Sequence, residues 1–410
     1  MSLIQPFAAL RPAPGRAADV IAPPYDVVST EEARALAAGR PWSFLHVSRP
    51  EIDLPPGTDP HGPEAYAKAA ENLRRMVEAG VLVRDPRPRL YVYGMEAPDG
   101  HRQTGLVAVA SVEAYREGRI RRHEHTRPDK EADRARQIEA VNAQTGPVLL
   151  ACRAGGTLDA LLAAGAAGGP DADAVDPYGV RHRLWAPEDP AWEAEVLAAV
   201  DALDALYIAD GHHRSAAAAR VAERRRAERG PGPWDWFLAV VFPHDQMRIL
   251  DYNRIVRDLG GMGPEAFVEA VRARGFAVEP AAEAVRPARR GEFGMYLAGR
   301  WYRLRLDPAR IPDDPVGRLD VSLLHRELIE PVLGIADPRR DPRIDFVGGS
   351  RGLEALAARV DAGEAAVAFS LHPTAMEDLL AVADAGEVMP PKSTWFDPKL
   401  ADGLASHVLD

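Results

Sequence analysis

The stretch ALYIADGHHRSAAAARVAERRRAER, residues 205–229, decides how this chain is read. Leu206, Tyr207 and Ile208 have the character of a short buried strand, and the Ala-, Arg- and Glu-rich run from Ser215 favours helix. Between them stand Asp210, Gly211, His212, His213 and Arg214, so the segment predicts a strand, a tight turn and a helix. A helix start leaves N–H groups unpaired and carries partial positive charge. With His212, His213 and Arg214 in front of Ser215, that start is a site for an anion, phosphate above all. Gly211 lets the backbone approach a ligand closely. The competing reading is a common Asp-Gly turn with two solvated histidines.

Composition narrows the function. At 410 residues the chain is long enough for two or three domains and a sizeable core. A formal net charge of -11 argues against a protein that coats DNA or an anionic membrane, so no membrane partner and no nucleic acid are expected. Cys152 is the only cysteine and lies in the apolar run 148–152, which excludes an internal disulfide and suits a buried filler in a reducing cytoplasm. The segment MSLIQPFAALRP lacks a basic region followed by an apolar stretch, and no later run approaches the ~20 apolar residues of a membrane span. The expectation is a cytoplasmic chain with small-molecule and nucleotide partners, and a homodimer is compatible with it.

Along the chain α and β alternate, and the expected class is mixed α+β with layered mixed sheets. Ser29-Thr30-Glu31-Glu32 is a capping box that opens a helix ended by Gly39. A longer helix runs from Pro63, with Tyr66, Ala70, Leu73 and Val77 on one face, to Gly80. Strands are expected over 90–93 and 104–112, joined through Pro98-Asp99-Gly100, then a helix over 128–143 and a strand over 148–152. The Gly/Ala/Asp-rich stretch 163–177 reads as a loop or boundary. Strands follow over 236–242 and 247–256, then a break at 260–263, a helix over 264–274, a strand pair at 293–297 and 301–306, and helices over 319–330 and 352–359. The expected parts are 1–160, 161–260 and 261–410.

Three other segments look chemical. Arg121-Arg122-His123-Glu124-His125-Thr126-Arg127 gathers basic and titratable side chains around one carboxylate. Glu124 would be held ionised there, able to act as a base or to help hold a divalent cation. The alternative is a solvated run that caps the following helix. In 389–399, Lys392 can reach a phosphate while Ser393, Thr394 and Trp395 orient an acceptor or lie against a base, or else Trp395 and Phe396 simply staple the tail to the core. Tyr25, Asp26, His46 and Arg49 can line a small polar pocket, or sit in rigid proline turns.

The succession IAPPYDVVS, SFLHVSRPEIDL, QTGLVAVASV, RRHEHTRPDKEADR, YIADGHHR, DYNRIV and MPPKSTWFDPK resembles the family known as domain of unknown function 1015, from about Ile4 to Val408. Its Asp210–Arg214 turn is similar to the phosphate motif of the ParB/sulfiredoxin superfamily, including archaeal free L-serine kinases. The resemblance implies a ParB/sulfiredoxin-like core around that turn. It also implies an upstream glutamate, matched here to Glu124, as the base that activates a serine hydroxyl.

Three functions are open at this level. In the first, a kinase uses ATP or ADP with Mg²⁺: Gly211, His212, His213, Arg214 and Ser215 hold the phosphates, and Lys392 screens the transferred group. Glu124 or Asp210 takes the hydroxyl proton, the other helps hold the metal, and His123, Thr126, Ser393, Thr394 and Trp395 position the acceptor. The second is a metal-dependent phosphohydrolase or nuclease built on His123, His125, His212, His213, Asp210 and Glu124. The third is a non-catalytic, nucleotide-binding, ParB-like regulator.

Overall fold

Val148–Cys152 is buried at every position and Trp236–Pro243 at all but its first, the signature of strands covered on both faces. In the computed structural model, which describes residues 2–410, these two strands lie side by side and parallel at the centre of a mixed sheet. Among the described residues that sheet has nine strands. From one edge to the other they run Ile120–Arg121, Leu206–Asp210, Val148–Cys152, Trp236–Pro243, Arg102–Ser111, Tyr91–Glu96, Arg181–Trp185 and Ala172–Val175, with Ile4–Gln5 added beside Arg102–Ser111. Leu106, Ala108 and Ala110, Leu150 and Cys152, and Phe237, Ala239 and Val241 turn alternate side chains into one core. Helix His212–Arg229 covers it with Ala217, Ala218, Val221 and Ala222, and helix Pro190–Asp201 with Trp192, Val196 and Val200. Fully burying side chains of that size contributes roughly 1.5–3 kcal/mol each.

A second apolar cluster joins Val20, Phe44, Leu45, Val47, Leu73, Met76 and Val141, so that helices Pro63–Glu78 and Pro128–Val141 pack together over the amino-terminal segments. All of this belongs to one compact unit, formed by the chain up to Met247 together with Pro398–Asp410. Residues Arg248–Asp397 form another. Among the described residues it holds a six-stranded antiparallel sheet in the order Phe276–Ala281, Arg300–Leu306, Glu292–Leu297, Val367–Leu371, Tyr252–Val256, Ile344–Gly348. Helix Gly352–Asp361 lies over it through Leu353 and Leu356.

The mixed α+β class is as expected, but the division is not into three parts. Residues on both sides of 160 share the nine-stranded sheet, so no boundary falls there. The later boundary lies at Met247/Arg248, and the tail from Pro398 returns to the first unit. The stretch 163–177 holds the end of helix Gly156–Gly165 and strand Ala172–Val175, which pairs with Arg181–Trp185. The strand expected over 247–256 is two strands, Ile249–Leu250 pairing with Trp395–Phe396 and Tyr252–Val256 entering the six-stranded sheet. The capping box at Ser29 is present, its hydroxyl accepting from the Glu32 amide and the Glu32 carboxylate accepting from the Ser29 amide.

Candidate active site

Strand Ile120–Arg121 pairs in parallel with Leu206–Asp210, Ile120 opposite Leu206 and Arg121 opposite Tyr207. Parallel neighbours release their chains at the same end of the sheet, where ligands of such sheets bind. Counting on from that register, Glu124 falls level with Asp210. The distant segments 122–127 and 210–215 therefore emerge together.

Gly211 has φ +95°, the left-handed region open to glycine, and it turns the strand into helix His212–Arg229. Its amide donates to Asp210 Oδ1 at 2.9 Å. The amides of Arg214 and Ser215 donate to the Gly211 carbonyl at 2.9 and 3.0 Å. Among the described residues this leaves the His212 and His213 amides as the unpaired donors of the helix start, a narrower cradle than the four-residue one expected. Ser215 is fully buried and its hydroxyl donates to the His212 carbonyl at 3.0 Å, so it braces the helix rather than facing a ligand.

Arg214 folds back over Gly211, where an added Cβ would stand 3.0 Å from its Nε. Its Nη1 donates to the Pro147 carbonyl, and its Nη2 lies 3.5 Å from Asp210 Oδ2. Lys399 Nζ reaches the same oxygen at 3.3 Å. Burial alone would raise the Asp210 carboxyl, but Lys399, Arg214 and His212 hold it well below the usual carboxylate range. So firmly ionised a group is a poor proton acceptor and, engaged by two cations, a poor metal ligand. The base and metal roles expected of Asp210 give way to that of an anchor for Lys399 and Arg214.

Burial works against the charged form of three histidines here. Burial pushes His123 down to about 4 against the opposing influence of Asp210 and the Ile208 backbone. Burial, with His123 second, pushes His212 well below the ordinary histidine range. His213 is lowered chiefly by burial, and its Nε2 accepts from the Arg127 amide at 3.1 Å. The cations that stand at the turn are Arg214 and Lys399, beside histidines whose charged form burial disfavours. The His123 and His212 rings meet edge to face at 4.5 Å, and the Glu124 Oε2 lies 3.9 Å from His212 Nδ1. Thr126 is turned to Glu131, to which its hydroxyl donates.

Arg214 also lines a small cavity of about 40 Å³, walled by Tyr25, Arg134, Gln137, Gly146 and Asp402 among others. Arg134 stacks on Tyr25 at 4.1 Å from the ring centre. Asp402 accepts from the Tyr25 amide and is pushed up to about 7 by burial, against Arg214 and with Asp26 adding to the rise. Of the pocket expected from Tyr25, Asp26, His46 and Arg49, Tyr25 lines this cavity, while His46 bonds Asp53 at 2.9 Å and Arg49 pairs with Glu51 at 2.8 Å. Arg134, Lys399 and Asp402 were not anticipated. Arg134 pairs with its neighbour Asp133, but its approach to Tyr25, like those of Lys399 to Asp210 and Asp402 to Tyr25, joins distant stretches beyond any local pattern.

Lys392, Ser393, Thr394 and Trp395 belong to the second unit. The Lys392 ammonium stands 5.7 Å from the Tyr252 ring, the Ser393 hydroxyl donates to the Pro390 carbonyl at 2.6 Å, and half-buried Thr394 follows. Trp395 packs on Tyr252 at 5.4 Å and over Gly348, where a Cβ would come within 2.7 Å of the indole. These contacts fasten the loop to its own sheet. Among the described residues no helix is long and apolar enough to cross a membrane.

None of the curated proteins matches the chain. Solved structures similar to it include a free serine kinase in complex with AMP, at 15% identity, covering 71% of this chain and 86% of that one with a TM-score of 0.35. A conserved hypothetical protein from Pyrococcus furiosus is similar at 15% identity over 73% and 94%, TM-score 0.35. SbnI with C-terminal truncation from Staphylococcus aureus is similar at 12% over 72% and 84%, TM-score 0.35. The family described as protein of unknown function (DUF1015) matches residues 4–322, and the chain belongs to it.

Proposed function

We propose that the protein is a nucleotide-dependent phosphotransferase acting on a small hydroxyl acceptor. The observation that carries this reading is the Glu124 carboxylate at 3.9 Å from His212, beside a helix start whose first two amides are unpaired. Phosphoryl transfer rewards positioning and fixed charge. The terminal phosphate of ATP or ADP rests on the His212 and His213 amides, in the field of Arg214 and Lys399. The acceptor oxygen attacks phosphorus, its proton passes to Glu124, and the bond from phosphorus to the bridging oxygen of the nucleotide breaks. Neutral His213, whose Nε2 is occupied by the Arg127 amide, keeps an N–H at Nδ1 to donate. Free L-serine, the acceptor implied by the motif resemblance, is the first compound to test.

Mg²⁺ favours near-octahedral oxygen ligation. The side chains here do not fit it, since Asp210 is engaged by Lys399 and Arg214 and Glu124 stands with two imidazoles. No step is assigned to that ion. The test is to incubate purified protein with ATP or ADP, Mg²⁺ and Mn²⁺ in parallel, and a pool of hydroxyl-bearing amino acids, following products by ³¹P NMR. The expected result is nucleotide loss that depends on one acceptor, which appears phosphorylated. Nucleotide bound but unchanged with every acceptor, or phosphate released to water alone, overturns the reading.

A further inference from the structure

We infer that His123, Glu124 and His212 form a site for one divalent transition-metal ion, held by two imidazoles and a carboxylate. This goes beyond the phosphotransferase reading and stands apart from it, because it concerns which ion the chain binds, whatever reaction follows.

The geometry comes first. One ligand atom from each of the three lies within 4.8 Å of the others. Metal–nitrogen and metal–oxygen bonds of roughly 2.0–2.2 Å place ligand atoms about 3–3.5 Å apart, so the set needs to close by about 1 Å. Glu124 is the half-exposed member of the set, its side chain 49% exposed beside two buried imidazoles.

The second observation is an orphaned atom. His123 is 2% exposed, and its Nδ1 has no hydrogen-bond partner. A neutral imidazole carries a lone pair on one ring nitrogen, and a buried one without a protein partner can serve a metal ion. A histidine that merely filled the core would leave that buried nitrogen unsatisfied. Next to it, the His123 amide meets His212 Nε2 only at 3.4 Å, too long to commit that ring to one tautomer.

The cation would face the positive end of helix His212–Arg229 and the guanidinium of Arg122, both of which oppose it. Against these stand the charges of Glu124 and, next to both rings, Asp210. Two imidazoles with one carboxylate select Mn²⁺, Fe²⁺, Co²⁺ or Zn²⁺ over Mg²⁺, and three ligands leave positions open for a phosphate oxygen or water.

The test uses tag-free, full-length protein without nucleotide. Co²⁺ titrated into the metal-stripped chain should give visible ligand-field bands that saturate at one ion per chain, and Zn²⁺ should displace it. Glu124→Gln, at a half-exposed position, and His123→Ala should each weaken Co²⁺ binding at least 10-fold, with circular dichroism confirming the fold. If His123→Ala does not fold, Glu124→Gln carries the test alone. Absence of bands, or equal affinity in wild type and Glu124→Gln, overturns the site. Failure of acceptor-dependent turnover leaves it standing, because no nucleotide takes part in this measurement.

Discussion

Lys399 places its ammonium 3.3 Å from the Asp210 carboxylate, across 189 positions of sequence. The two side chains are one-quarter to one-third exposed, so solvent screens them in part. The contact nonetheless keeps the turn acid ionised and draws the tail onto the site.

Replacing Lys399 with Met should let the Asp210 carboxyl rise toward its ordinary range and lower stability by about 1–2 kcal/mol, less than for a fully buried pair. Lys399→Arg should keep most of both. Urea unfolding of the three proteins, with ADP affinity by calorimetry, checks this. An unchanged unfolding midpoint in Lys399→Met would show the pair to be idle.

Gly211→Ala puts a side chain at φ +95° and 3.0 Å from Arg214 Nε. The conformation alone costs about 1–2 kcal/mol. The expected outcome is a destabilised chain that also loses nucleotide affinity, since the His212 and His213 amides are aimed by this turn.

Glu124→Gln keeps shape and removes the carboxylate proposed as proton acceptor. Acceptor-dependent turnover should fall by roughly 10²–10⁴, the usual weight of a general base, while nucleotide affinity changes little. A variant with full kcat would assign the proton to another group.

Acid should loosen the first unit in a definite window. His123 and His407 are both pushed down to about 4 by burial, and burial also holds His212 well below the ordinary histidine range. Below the unfolded value of about 6.5 the unfolded chain binds protons that the folded one refuses. The contribution of these histidines is thus complete above pH 6.5 and falls as pH drops from there through 4. A melting temperature flat over that interval would contradict the buried neutral assignment.

Asp402 works in the opposite sense. Its carboxyl, pushed up to about 7, holds a proton in the folded chain that the unfolded chain gives up near 4, so stability is lost as pH rises through 7. Asp402→Asn should therefore stabilise most at pH 8, on the order of 1–3 kcal/mol, less at pH 5, and make almost no difference at pH 3. Melting curves at the three pH values decide it.

What could be read from the chain was whatever local chemistry dictates. The capping box at Ser29, the buried run Val148–Cys152 and the Asp210–Gly211 turn stand where expected, because each is settled by a few neighbouring residues. Helix Pro190–Asp201 was legible too, from Asp189 capping its start and from Trp192, Val196 and Val200 four residues apart, but it was passed over. Strand Ala172–Val175 was hidden because its alanines bury little and alternate only weakly. At the site, the approach of Glu124 to His212 follows from strand pairing, which no window of sequence contains. The neutrality of the histidines follows from burial, and Lys399 and Asp402 reach the turn only through the returning tail.

That return sets an order of events during synthesis. A nascent chain halted at residue 397 has already made the glycine turn, the helix behind it and Glu124, yet lacks Lys399, Asp402 and the strand His407–Val408 that pairs with Ala143–Gln144. Until then Asp210 is met by Arg214 but not by Lys399, while the ribosome completes an entire second body. Completion of the candidate site is thereby tied to a segment that leaves the ribosome after the second unit.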